Sequence, residues 1–244
     1  MVIKQDDRGH NAYDFGIPSN DYGLNRPFMS TANPLAANQY DVLENGGDQL
    51  NATFTADVNI TSFLKANVTS TVNWGQTNYS NYSNPFYGSK VGVNGEINKQ
   101  STSALRTNNV QTLTYFQDFD RHSVNVMVGH EYYKTTTKFL GAIAQGGFSP
   151  SIPEIDAFAK ISDASSYKSG YNVEGYFGSA QYNYDQRYFA SASFRRDASS
   201  YFAKENRWGN FWSVGGAWLI SKENFMQSSA SWLNMLKLKF SVGQ

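Results

Sequence analysis

Apolar and polar residues alternate with a period of two along much of the chain. Leu50, Ala52, Phe54, Ala56, Val58 and Ile60 take every second position, and Asn51, Thr53, Thr55, Asp57 and Asn59 stand between them. Successive side chains of a strand point to opposite faces, so the segment predicts a strand with one apolar and one wet face. The pattern returns at Leu64, Ala66, Val68, Val72 and Trp74, and at Val124, Val126 and Val128. It continues at Tyr176, Ala180, Tyr182 and Tyr184, then at Tyr188, Ala190, Ala192 and Phe194, and last at Leu236, Leu238, Phe240 and Val242. Weaker segments near 105–117 and 208–220 are in phase at Leu113 and Tyr115, and at Trp212, Val214, Trp218 and Ile220. That makes roughly eight strands of about 9–13 residues, where globular strands average about five or six. A tilted strand crosses a bilayer in about 9–11 residues, so the predicted strands are of membrane length.

The connections alternate between short and long. Short turns are expected near Thr61–Phe63, Asp118–His122 and Asp185–Arg187, and long loops near 75–104 and 135–172. Short turns on one side and long loops on the other characterise outer-membrane barrels. The segment Ser221–Met235 departs from this parity and is the best helix candidate, with Ser221 as a possible N-cap. Residues 1–48 show little periodicity and read as a long extracellular loop region, with the strands at 49–244.

Composition sharpens the picture. Charged residues are 16% of the chain and aromatic residues another 16%. The charged share is well under the roughly 25% of soluble domains. Net charge is +0, so no basic surface favours nucleic acid. Cysteine is absent, which excludes thiol catalysis, disulfide frameworks and cysteine-ligated metals. No run approaches the ~18 apolar residues of a membrane helix. The N-terminus shows no apolar signal-peptide core.

A soluble sandwich also alternates, but three features favour a membrane barrel. The strands are long. The wet face carries Asn, Thr, Ser, Lys and Arg, which are costly in a dry core. Tyr182, Tyr184 and Tyr188 flank a short turn, and Trp208 and Trp212 lie toward the other end of a strand. With Trp218 these are candidate membrane-interface aromatics, because Tyr and Trp favour the headgroup level. Cross-strand packing is the alternative role for any one of them. The membrane reading requires Ala190, Ala192, Phe194, Leu238 and Phe240 to lie outside any closed core.

Residues 187–226 resemble the SusC/RagA family of TonB-dependent receptors. The resemblance rests on Arg195-Arg196-Asp197 through Phe202, Arg207-Trp208-Gly209, Phe211–Ser213, Trp218 and Ser221–Met226. Ala198 stands where the family has Gly, and Tyr201 where a basic residue is common. His122–Val126 with Gly129-His130-Glu131, Asn33–Ala36, Tyr171–Phe177 and Trp232–Lys239 also match. The resemblance implies a barrel of about 22 strands with an internal plug. It further implies import of glycan fragments or peptides, energised through TonB by way of the plug, and a SusD-like surface lipoprotein as lid. The expected setting is the outer membrane of a Gram-negative bacterium, with lipid around the barrel. The chain is thus expected to be an all-β, antiparallel transmembrane β-barrel segment, part of a longer receptor, without the plug and TonB-contacting region. A small stand-alone outer-membrane barrel or binding protein is the alternative, and a soluble β-rich glycan-active enzyme a more distant one.

Candidate chemistry is sparse. His10, His122 and His130 show no metal-ligand spacing and read as structural, with His122 in a turn and His130 at a strand end. No GxSxG elbow is present, and Asp118, Asp120 and Glu131 could pair only through folding. Neither a catalytic residue nor a cofactor is expected. The acidic stretch Asp41–Asp48 reads as a loop, with calcium binding and a plain solvated turn as alternatives. Tyr79, Tyr82, Phe86 and Tyr87 stand among Asn and Ser in an expected external loop. They are candidates for ligand or lid contact, with loop packing as the alternative.

Overall fold

The computed structural model describes residues 2–5, 9, 11–13, 34–86, 88–229 and 231–244. A short antiparallel pair, β1 (Val2–Gln5) and β2 (Asn11–Tyr13), precedes the helix α1 (Pro34–Tyr40). Eight long strands follow: β3 (Val42–Asn59), β4 (Leu64–Ser83), β5 (Glu96–Phe119), β6 (His122–Gly147), β7 (Phe158–Tyr184), β8 (Tyr188–Ser199), β9 (Trp208–Leu219) and β10 (Lys237–Gly243). They form one sheet in the order β10-β9-β8-β7-β6-β5-β4-β3, so each strand pairs with its neighbours in sequence. Such a meander needs only hairpin connections. The tight turns use Asp120, Asp185 and Gln186 at positive φ, and Asp tolerates that region through its short polar side chain.

Eight strands form as expected, but several are much longer and β10, at seven residues, is shorter. β5, β6 and β7 run to 24, 26 and 27 residues. Much of the expected loops at 75–104 and 135–172 is therefore strand, and only residues 84–95 and 148–157 connect. β3 starts at Val42 rather than near residue 49 and takes in most of Asp41–Asp48. Drawn out as a strand, this stretch does not form the loop that a calcium site would need. Among the described residues no group of three or more His, Asp or Glu is placed to hold a metal. The expected helix over Ser221–Met235 is replaced by two 3-10 turns, Ile220–Lys222 and Asn224–Ser229.

Two compact units share these strands. One comprises Met1–Gln49, Gly75–Ala104 and Thr137–Ser169. Its apolar centre is Tyr82, Ile97, Ala144 and Phe158, with Ile155 and Ala157 packed against it. Lys90–Glu96 and Lys99–Glu154 ion pairs at 2.6 Å tie its connections to β5. The other unit comprises Leu50–Trp74, Leu105–Thr136 and Gly170–Gln244. It has no buried apolar core among the described residues. The chain exposes 16112 Å² of surface. A soluble globular protein of 27.3 kDa would expose roughly 11,000 Å².

Candidate functional site: an apolar face and a polar face

In the second unit the register divides the side chains into a mainly apolar face and a mainly polar one, the latter also carrying Phe177, Phe189 and Phe211. Ala180 pairs with Ala192, Ala192 with Val214, and Val214 with Val242. Phe194 pairs with Trp212, and Tyr188 with Trp218, which pairs in turn with Leu238. Paired residues project to the same side, so these form one continuous apolar face. Ala190 and Ala192 are exposed, as are Phe194 at 51%, Leu238 at 59% and Phe240 at 69%. Phe54 and Val58 on β3, and Ile60 just beyond it, are exposed as well. An exposed apolar surface of this extent marks contact with a partner or a membrane.

Aromatic and polar groups border this face at both ends. At the hairpin-turn end, Tyr184 stacks on Tyr188 at 6.2 Å and Tyr188 on Trp218 at 6.3 Å. His122 Nδ1 lies 2.6 Å from Tyr182 Oη, and its ring stacks on Phe119. Glu223, in the connection after β9, accepts hydrogen bonds from Tyr188 Oη at 2.6 Å and Trp218 Nε1 at 2.9 Å. Arg187 donates to the same carboxylate at 3.2 Å. These bonds, first that from Tyr188 and then that from Trp218, hold the Glu223 carboxyl below its ordinary pKa. At the opposite end Tyr176 stacks on Trp208 at 6.2 Å, and the Arg196 guanidinium lies 4.8 Å above the Trp208 ring. Glu174 accepts from Tyr176 Oη at 2.7 Å and lies 3.3 Å from His130 Nε2.

The other face is polar. Thr53 and Thr71 hydroxyls bond across β3 and β4 at 3.2 Å, and Asp57 accepts from Asn67 and pairs with Lys65. Ser193 and Ser213 do the same across β8 and β9 at 2.7 Å. A 770 Å³ groove on this face is lined by Asn125, Gln181, Ser191, Lys237 and Lys239 among others. Three strands interlock beside it. Arg195 Nη2 on β8 donates to Glu131 on β6 at 2.7 Å, and its Nε to Asp197 at 2.8 Å. The guanidinium passes over Gly175 of β7, where a Cβ would stand 2.9 Å from Nη2. The Phe177 ring occupies the space where a Cβ of Gly129 would be, and Arg195 lies 5.3 Å above that ring.

The structure disposes of the candidate residues as follows. Tyr82 is 3% exposed and meets Phe158 edge-on at 6.2 Å, so it is core rather than a ligand-contact residue. Ile97, Ala144 and Phe158 bury it, with Ile155 and Ala157 packed against the cluster. Phe86 packs edge-on against Tyr40 at 5.8 Å. Tyr79 is half-buried in β4, and Tyr87 lies outside the described residues, as does His10. Tyr182, Tyr184, Tyr188 and Trp218 gather at the hairpin-turn end, and Trp208 sits at the other. Trp212, opposite Phe194, lies inside the apolar band rather than at its border. His130 stands within β6, not at its end. The Glu131–Arg195–Asp197 network was not anticipated. The signal available was Arg195 and Asp197 two apart in a strand, which places opposite charges on one face.

No family model matches the chain. A TonB-dependent receptor of Formosa agariphila is 28% identical over 222 residues, covering 89% of this chain and 22% of that protein. The TonB-dependent receptor SusC of Bacteroides thetaiotaomicron is 36% identical over 85 residues, covering 35% of this chain and 8% of the receptor. In three dimensions the chain is similar to the structure of the RagAB peptide transporter, with a TM-score of 0.79 and 26% identity over 92% of this chain and 25% of that one. The chain thus spans about a fifth to a quarter of the length of these relatives. In sequence and in fold alike, the chain is similar to a β-barrel segment of TonB-dependent receptors of the SusC/RagA type.

Proposed function

We propose that this chain forms part of the wall of an outer-membrane transporter in a Gram-negative bacterium, one that imports glycan fragments or peptides. The observation that carries this reading is the separation of faces. One side of β7–β10 is apolar, exposed and bordered by Tyr, Trp and His, as a lipid-facing band requires. The other side carries Ser, Asn, Gln, Lys and an Arg–carboxylate network, as a wet or plugged lumen requires. Tyr182, Tyr184, Tyr188, Trp208 and Trp218 would sit at the two headgroup levels, with Trp212 deeper in the band.

In this reading the chain's part is structural. Its strands supply the lumen wall, and the strand extensions and connections of the first unit supply the external surface. A plug elsewhere in the receptor would couple to TonB, and a SusD-like lipoprotein would cap the external side. Support for peptides as a substrate comes from the likeness to the RagAB peptide transporter, and Tyr79 and Phe86, both part-exposed, are the remaining ligand-contact candidates among the described residues.

The test is uptake. Cells lacking the gene that encodes this chain are compared with the parent for uptake of fluorescent oligosaccharides and peptides, with and without an uncoupler of the proton gradient. The transporter reading predicts loss of one energised uptake activity. Unchanged uptake of every probe, in cells shown to express the parent protein, would contradict it.

A further inference from the structure

The two arginines of the Arg195-Arg196 pair are in opposite situations. Arg195, on the polar face, is held by Glu131 and Asp197. Arg196, on the apolar face, has no carboxylate partner among the described residues and only the Trp208 ring beneath it. A guanidinium laid flat on an indole keeps its N–H groups free at the edge of the plane, and those groups match phosphate oxygens.

Directly beside Arg196 the apolar face has a groove. Its volume is 670 Å³, and Val128, Gly178, Ala180, Ala192, Phe194 and Tyr176 line it. The groove exists because small residues stand side by side across the strands. Gly178 pairs with Phe194 and Ala180 with Ala192, so the floor is backbone and methyl groups between two rings. Among the described residues no side chain fills it. An isolated apolar groove admits many occupants, but one with an unpaired cation at its mouth selects an apolar chain that ends in an anion.

We propose that this groove binds an anionic membrane phospholipid, one whose phosphate carries no compensating cation, with an acyl chain along Gly178, Ala180 and Ala192 and the phosphate on Arg196. The site rests on the outer-membrane reading, which turns this face toward lipid. Tyr176 and Trp208 frame the phosphate at the headgroup level, where Tyr and Trp settle. Glu174, on the same face of β7 as Tyr176, is already engaged by Tyr176 and His130.

Gly178 offers a test that spares the sheet. A Cβ there would meet the Met127 carbonyl at 3.4 Å and Val128 Cγ1 at 3.7 Å, which is ordinary contact. A larger side chain would therefore fill the groove without displacing backbone.

The experiment uses the full receptor containing this chain, reconstituted in phosphatidylcholine bilayers. Nitroxide-labelled phosphatidylglycerol or phosphatidylcholine is added, and electron paramagnetic resonance measures the motionally restricted fraction of each. The wild type is expected to favour phosphatidylglycerol. Arg196→Gln should lower that preference roughly fivefold at this site, the value of one basic residue at a lipid surface. Arg196→Lys should retain most of it. Gly178→Leu should remove the preferentially held lipid while Arg196 is still present. Protease resistance of each variant checks that the barrel is intact. A preference unchanged in both Arg196→Gln and Gly178→Leu would overturn the proposal, while a restricted shell of both lipids would leave the membrane reading standing. Absence of any restricted lipid around the wild type would remove the membrane reading, and the lipid site with it.

Discussion

Arg195 and Glu131 meet at 2.7 Å although the strand β7 lies between the strands that carry them. The contact is possible because β7 presents Gly175 at the crossing point. An arginine spanning two strand spacings needs an unobstructed path, and glycine is the residue that supplies one. The neighbouring step repeats the device in reverse, with Phe177 of β7 lying over Gly129 of β6. The Gly-His-Glu, Glu-Gly-Tyr-Phe and Arg-Arg-Asp segments are thus three sides of one interlock on the polar face.

Gly175→Ala should break this interlock. The added Cβ collides with the Asp197 carboxylate and crowds the Arg195 guanidinium, at a cost of about 1–3 kcal/mol. Thermal unfolding of the receptor in detergent would measure it. In an Arg195→Ala, Asp197→Ala background the same substitution should cost much less, because the obstructing groups are gone.

The two faces should respond oppositely to charge. Phe194 and Ser193 are adjacent on β8 but face opposite ways. Phe194→Arg should destabilise the folded receptor in bilayers by about 1–2 kcal/mol, between the cost of a cation at the membrane midplane and that near the interface. Ser193→Arg, on the wet side, should be tolerated. Equilibrium unfolding from lipid vesicles separates the two cases.

Tyr82 should behave as a core residue. Tyr82→Ala leaves a cavity beside Phe158 and Ile97 and should cost about 3 kcal/mol or more. Tyr82→Phe keeps the ring and should cost little. Hydrogen exchange of the β4 and β5 amides would report the loosening. If Tyr82→Phe instead abolished substrate binding with stability intact, the packing role would be wrong.

Glu223 predicts an acid-sensitive border. Its carboxyl is held below the ordinary value of about 4.5 by Tyr188 and Trp218, with Arg187 assisting. Stability from a depressed carboxyl is fully present above the unfolded-state value and is lost as pH falls through the folded-state one. The contribution should therefore persist at neutral pH and disappear only in acid below about pH 4.5. Glu223→Gln should flatten this acid dependence, as followed by thermal unfolding across a pH series. An equally steep acid loss in the variant would assign the effect to other groups.

The middle of each long strand was legible because one face is greasy and the other wet there, which is what period two records. The outer reaches of β5, β6 and β7 were not legible. In Lys160–Gly170 both faces are exposed, so polar residues serve on both sides and the alternation vanishes. Backbone hydrogen bonds continue the strand regardless of hydropathy. The pairing of Trp212 with Phe194 was not legible either, because it depends on the register between β8 and β9 rather than on the position of Trp212 in its own strand. Tyr82 was misread for a related reason. Its cover comes from Phe158 and Ile155, more than 70 residues on, and no local pattern carries that contact.

The most direct test of the account scans β10 with spin labels. The chain has no cysteine of its own, so single cysteines at Leu238, Lys239, Phe240 and Ser241 can be labelled cleanly within it. In reconstituted receptor, collision with oxygen reports lipid and collision with a water-soluble nickel chelate reports water. The account predicts oxygen access at Leu238 and Phe240 and nickel access at Lys239 and Ser241, alternating residue by residue. Equal nickel access at all four positions, or oxygen access on the Lys239 side, would contradict the assignment of the two faces.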